Sequence, residues 1–267
     1  MSRRGRWVVA ATVLAAGGLL AGCTASGATD PPRTTTTTST SPAKRTTAPA
    51  PGLVVGLGDS VTAGTACGCT TFIDLYAAGL AERQHRPVRA LNLGRAGLSS
   101  VGLAQQLATA PVRAQLARAD TVVVTIGAND LVPLVRKWQV GGCPQECVAA
   151  PVSAMRDQLS GGLAELRQDL PPGARVLVTD YWNVFEDGDV ADRLYGDGFA
   201  DWSDAVTKRA NAAICAAATA ADDHCVDLYE PFEGAGDRDP TALLAGDGDH
   251  PNGAGHRLIA QVLLDAS

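Results

Sequence analysis

The sequence predicts an α/β domain over residues 52–267, a parallel sheet with helices on both faces. Three observations carry this. Short apolar runs alternate steadily with longer stretches of helical periodicity. Several of those runs are continuously apolar, as strands buried on both faces are. Finally, 46% hydrophobic against 19% charged residues in 267 supplies core enough for one such domain and excludes wholesale disorder.

The elements follow in order. Leu53 to Leu57 reads as the first strand and Phe72 to Gln84 as the first long helix. Val88 to Leu93 is a second strand, followed by a helix over Val101 to Ala117. Thr121 to Ile126 and Ala174 to Thr179 are strands flanking a helix over Ser153 to Asp169. A helix over Asp201 to Ala221 precedes the last strand, Cys225 to Leu228. In the closing helix, Gly253 to Leu264, residues Leu258, Ile259, Val262 and Leu263 make one apolar stripe. Right-handed crossovers place the residues following each strand along one rim, where open α/β sheets bind their ligands.

Charge narrows the partners. The chain carries −6 overall, but residues 52–267 hold 16 Lys/Arg against 27 Asp/Glu. A body this acidic repels phosphate backbones, so nucleic-acid binding is disfavoured. No apolar run reaches the length of an ordinary membrane span.

Residues 1–22 read as an export signal: Arg3, Arg4 and Arg6 precede the short apolar run Val8 to Gly22. The run ends Leu20-Ala21-Gly22-Cys23, which resembles the lipobox of bacterial lipoproteins and implies cleavage before Cys23 and acylation of its thiol. Residues 23–51, rich in Thr and Pro, are expected to be a disordered spacer holding the domain off a membrane. Six further cysteines, Cys67, Cys69, Cys143, Cys147, Cys215 and Cys225, fit an exported chain with up to three disulfides. Cys215 with Cys225 is the favoured pair because it closes a short loop between helix and strand. The other four pair within their own loops or with each other. Their C-x-C and C-x-x-x-C spacings fit zinc poorly.

The chemistry lies in the rim segments. Gly58-Asp59-Ser60 follows the first strand, where a serine at the turn can project its hydroxyl toward the rim. The helix after it would turn its positive end toward an oxyanion formed there. Gly94 and Gly97 are rivals, after strand two, for a backbone N–H brought close to a substrate. Asn129, in Gly127-Ala128-Asn129-Asp130, offers an uncharged NH₂ donor. His250 lies three residues after Asp247, a spacing that lets the carboxylate hold Nδ1 and leave Nε2 to accept a proton. Asp249 is a rival carboxylate with poorer geometry. His85, His224 and His256 read as structural.

These four blocks, in this order and placement, resemble the SGNH (GDSL) hydrolase family across Leu53 to Ser267. The resemblance implies a flavodoxin-like three-layer α/β/α sandwich with a five-stranded parallel sheet. It implies Ser60 as nucleophile, His250 as general base and then acid, and Asp247 as its orienter. Ser60 N–H, Gly97 N–H and the Asn129 side chain would form the oxyanion hole, Gly97 being preferred over Gly94 for its distance from Asn92. It implies no metal or organic cofactor and an ester as substrate. No obligate protein partner is evident.

The acyl pocket is expected between two loops, with Leu131, Trp138, Tyr181 and Trp182 as candidate contacts, unless these side chains cover core instead. Tyr181 to Phe199, with its three glycines, reads as a flap. Small-acyl or lipid ester hydrolysis at the cell envelope is the leading function. Carbohydrate O-deacetylation, acyl transfer and a non-catalytic binding role are the alternatives.

Overall fold

The computed structural model describes residues 51–267, which form one folded unit. The expected leader 1–22, Cys23 and the spacer up to residue 50 lie outside the described residues.

Five strands, β1 (Gly52–Gly58), β2 (Val88–Asn92), β3 (Thr121–Thr125), β4 (Arg175–Thr179) and β5 (His224–Val226), pair in parallel in the order β2-β1-β3-β4-β5. The fold is the expected one. Every residue of β1 and β3 is buried, whereas β2 and β5 at the edges are partly open. That is why the two central runs were the most plainly apolar in the sequence. The order also fixes where a ligand can sit. From β1 the chain crosses one way to β2, then returns past β1 to β3, so the loops after β1 and β3 diverge and open a crevice.

The helices are α1 (Ser60–Ala63), α2 (Phe72–Gln84), α3 (Ser100–Leu107), α4 (Ala110–Leu116), α5 (Ala128–Leu131), α6 (Pro133–Gly141), α7 (Gln145–Asp169), α8 (Gly188–Tyr195), α9 (Phe199–Ala220), α10 (Tyr229–Glu233) and α11 (Gly253–Asp265). Of these, α2 packs on α11, and α7 packs on both α3 and α9. Ile259 and Leu263 of α11 are fully buried, as the apolar stripe requires, while Leu258 and Val262 are partly buried against the same core.

Three local expectations change. The single helix over Val101 to Ala117 is two, because Pro111 opens α4 and cannot donate to a preceding turn. The helix expected from Ser153 starts eight residues earlier, running through Pro151 in its second turn. Tyr181 to Phe199 is no flap: Tyr181 through Phe185 are buried, α8 follows, and Asp187 N–H donates to Gly248 O at 2.7 Å.

The disulfides are Cys67–Cys69, Cys143–Cys147 and Cys215–Cys225. The favoured pair is present, and the other four cysteines close their own loops. His256, fully buried, accepts from Phe72 N–H through Nδ1 at 3.2 Å and stacks on the Phe72 ring. Burial, with the charge of His250 beside it, pushes its pKa down to about 4, which suits a neutral structural ring. Its Nε2 has no partner among the described residues.

Candidate active site

Ser60 stands at the turn from β1 into α1. Asp59, not Ser60, caps that helix, its Oδ1 accepting from Val61 N–H at 3.0 Å, so the serine hydroxyl is not consumed as a cap. The helix is only four residues long and ends at Gly64. It therefore brings little macrodipole to the site, contrary to expectation.

Asp59 is 1% exposed, and a carboxylate that deep must be partnered. Thr125 Oγ1, at the end of β3, donates to its Oδ1 at 2.9 Å, and Tyr181 OH, just past β4, donates to its Oδ2. Burial raises the Asp59 pKa, opposed by those bonds, by Val61 N–H and by the charge of His250. Thr62 Oγ1 donates to Leu57 O at 3.1 Å and lies 2.8 Å from Thr125 Oγ1, fastening α1 to the sheet. The residues beside the nucleophile candidate are thus held by three strands.

Two backbone N–H groups face no acceptor: among the described residues, neither Ser60 N–H nor Gly97 N–H has a backbone or side-chain partner. Gly94 N–H, the rival, is spent on Asn92 Oδ1 at 2.9 Å. Its Cα also lies against Thr62 and Ala63, where a side chain would collide, which accounts for that glycine structurally. Gly97 has open space around it and φ +76°. Asn129 donates one N–H to Leu98 O at 3.1 Å, tying its amide to the Gly97 loop and keeping a second N–H. Asp130 locks the same loop, accepting from Ser100 N–H at 2.9 Å and Ser100 Oγ at 2.6 Å.

The fourth block closes as its spacing suggested. Asp247 Oδ2 lies 2.8 Å from His250 Nδ1, and its Oδ1 accepts from His250 N–H and Asp249 N–H, each at 3.1 Å. Burial acts to raise the Asp247 pKa, but these bonds outweigh it and hold the carboxyl below its ordinary value. Asp249 stands on the other side of the ring, its Oδ2 3.6 Å from Nε2. Burial and the charges of Glu186, Asp247 and Asp59, opposed by that of His250, push the Asp249 carboxyl up to about 6. Among the described residues no hydrogen bond joins Ser60 Oγ to Nε2. Such bonds often tighten only around substrate.

The substrate-contact candidates do not form a wall. Leu131, Tyr181 and Trp182 are at most 2% exposed, and Tyr181 spends its hydroxyl on Asp59. They cover core, the alternative the sequence left open. Trp138 is half-buried in an aromatic cluster, edge-on to Phe199 at 5.1 Å and Tyr195 at 6.4 Å. Sequence reasoning missed Thr125, Tyr181 and Asp130 as supports. The available signal was Asp59 itself: a charge directly after a buried strand needs donors from the ends of adjacent strands.

The described residues offer three nearby metal-ligating atoms only at Cys67, Cys69 and His256, where both sulfurs are already in a disulfide.

A model of the GDSL-like lipase/acylhydrolase family matches residues 57–258. Among solved structures, a lipase from a goat rumen metagenome aligns with TM-score 0.68 at 19% identity, over 81% of this chain and 97% of the other. A GDSL-like lipase from Parabacteroides merdae aligns with TM-score 0.59 at 17% identity, over 80% and 94%. An acetylxylan esterase from Geobacillus stearothermophilus aligns with TM-score 0.56 at 18% identity, over 80% and 93%. No curated protein sequence matches the chain.

Proposed function

The chain belongs to the GDSL-like lipase/acylhydrolase family and is a serine ester hydrolase, and we propose that Ser60, His250 and Asp247 carry its chemistry on esters of short acyl groups. One observation carries the assignment. Asp247 holds His250 Nδ1 at 2.8 Å, while at the rim Ser60 N–H and Gly97 N–H, among the described residues, have no acceptor. Asp247 holds the ring tautomer that leaves Nε2 unprotonated. Nε2 takes the hydroxyl proton as Ser60 Oγ attacks the ester carbonyl. The two N–H groups and Asn129 Nδ2 receive the oxyanion. The imidazolium then protonates the leaving alcohol, and water repeats the sequence on the acyl-enzyme.

A short acyl group is supported by the burial of Leu131, Tyr181 and Trp182, which removes most of the expected acyl groove. The carboxylate of Asp249, 3.6 Å from His250 Nε2, supports a polar alcohol portion, which keeps carbohydrate O-deacetylation as the second reading. A panel of p-nitrophenyl esters from acetyl to palmitoyl, with acetylated xylan and acetylated peptidoglycan, tests both. The proposal expects kcat/KM to fall at least tenfold between butyryl and octanoyl. Rates rising with chain length overturn it, and a glycan turned over faster than any simple ester selects the second reading. Ser60→Ala abolishes all turnover if the assignment holds.

The leader 1–22 and Cys23 support an exported, lipid-anchored protein, and three disulfides suit that oxidising compartment. Mass spectrometry of the mature N-terminal peptide tests this: a diacylglyceryl Cys23 is expected, and an unmodified Cys23 contradicts it.

A further inference from the structure

Charge in the folded domain is divided between the two ends of the sheet. At the rim, Asp59, Asp130, Asp180 and Asp227 lie past the ends of four strands, and Asp247 and Asp249 flank His250. At the base, where the parallel strands begin, the charges are mostly of the other sign. Arg86 precedes β2, Arg89 lies within it, Arg118 precedes β3 and Arg175 opens β4.

A cavity of about 640 Å³ opens at this base, lined by Arg86, Arg89 and Arg118 with Leu53, Leu91 and Asp120. The carboxylate of Asp120 is already spent. Its Oδ2 accepts from Leu53 N–H at 2.7 Å, and its Oδ1 lies 3.7 Å from the Arg86 guanidinium. Arg89 and Arg118 are exposed, and among the described residues neither guanidinium has a hydrogen-bond or carboxylate partner. Two uncompensated guanidinium forks beside an apolar flank of Leu53 and Leu91 fit a phosphodiester that carries an apolar portion. The chain itself indicates where such a group is met. Pro51, from which the backbone enters β1, lines the same cavity, so an anchor on Cys23 pulls on this end of the domain.

We propose that the arginine-lined base rests on the anionic phospholipid headgroups of the membrane that holds the acyl anchor, with the rim of Ser60 and His250 facing away from the bilayer. The proposal builds on the lipid-anchored reading of Cys23 and adds an orientation to it: the ester comes from outside the bilayer. The acidic rim does not oppose the contact. β1 is seven residues long, about 20 Å, whereas exposed charges are screened beyond about 8 Å in physiological salt. Each arginine at an anionic surface is worth about fivefold in partitioning. The tether makes the contact intramolecular, so a weak affinity suffices.

Co-sedimentation of residues 23–267 carrying Cys23→Ser with vesicles tests the surface apart from the anchor. A failure of the base is thereby told apart from an unacylated Cys23 and from any failure of the ester chemistry. At about 50 mM NaCl, binding to vesicles of equal phosphatidylglycerol and phosphatidylcholine should exceed binding to phosphatidylcholine alone by at least twentyfold, and the excess should vanish by about 500 mM. Arg89→Ser/Arg118→Ser should cut that excess about tenfold while the melting point stays unchanged. Arg136→Ser/Lys137→Ser, which removes two exposed cations from α6, should leave it intact. Equal binding to the two kinds of vesicle, or equal losses in the two double variants, would overturn the proposal. Displacement by inorganic phosphate at an ionic strength where NaCl displaces nothing would also overturn it, in favour of a soluble phosphate ligand.

Discussion

The two halves of the site are built differently. The serine half is embedded: Asp59 is buried under Thr125 and Tyr181, Thr62 grips β1 and β3, and Asp130 pins the Gly97 loop. The histidine half is local and open. Asp247 reaches only the residues two and three further on, and its side chain is 39% exposed. With Ser60 as the proposed nucleophile, the turn that carries it must stay fixed through the reaction, while the His250 ring would take a proton and deliver it to the leaving group. Changes in the serine half should therefore cost stability as well as rate, and changes in the histidine half rate alone.

Asp247→Asn is the sharpest test of that contrast. Asn preserves the acceptor for the two backbone N–H groups but presents NH₂ to Nδ1 and inverts the tautomer. Turnover should fall on the order of 10⁴-fold, with urea unfolding moved by less than about 0.5 kcal/mol. A destabilised Asp247→Asn would mean the loop is not as independent as described. Next in size, Asn129→Ala should lower kcat about 10²–10³-fold with little change in KM, the pattern for a donor used only in the transition state.

Tyr181→Phe should behave in the opposite way. It strips a charge-assisted bond from buried Asp59 and should cost about 1.5–3 kcal/mol in denaturant unfolding, with a smaller loss of rate. An unchanged unfolding midpoint would remove Tyr181 from the support of the serine half.

A pH effect separates the fold from the site. Burial, aided by the charge of Asp187, its bond and the charges of Asp204 and Asp239, pushes Glu233 up to about 8 from an ordinary 4.5. The folded protein thus keeps this proton where the unfolded chain has lost it, and stability falls as pH rises from about 4.5 through 8. Glu233→Gln should flatten that slope and melt above the parent at pH 8. A parent whose stability rises across this window would contradict the assignment.

What the sequence could show followed the range of the interactions. Strands β1 and β3 were legible because burial on both faces leaves a continuous apolar run. Asp247 with His250 was legible because three residues of spacing set their geometry. Ser60, Gly97 and Asn129 were visible only as rim positions and gained meaning together. The Asp59–Tyr181 bond spans 122 residues and has no local signature, so Tyr181 and its neighbour Trp182 read as a substrate wall when they are core. The α7 start was hidden because Pro151, the seventh residue of the helix, reads as a breaker, yet the helix runs through it without the N–H that would have met Cys147 O.

The central claim is that Ser60 is the nucleophile and His250 its base. Treating the protein with a fluorophosphonate and sequencing the modified peptide asks this directly. The account predicts one adduct, on Ser60, formed at least a hundredfold more slowly in His250→Ala. An adduct on another serine, or labelling of Ser60 at an undiminished rate without His250, would contradict it.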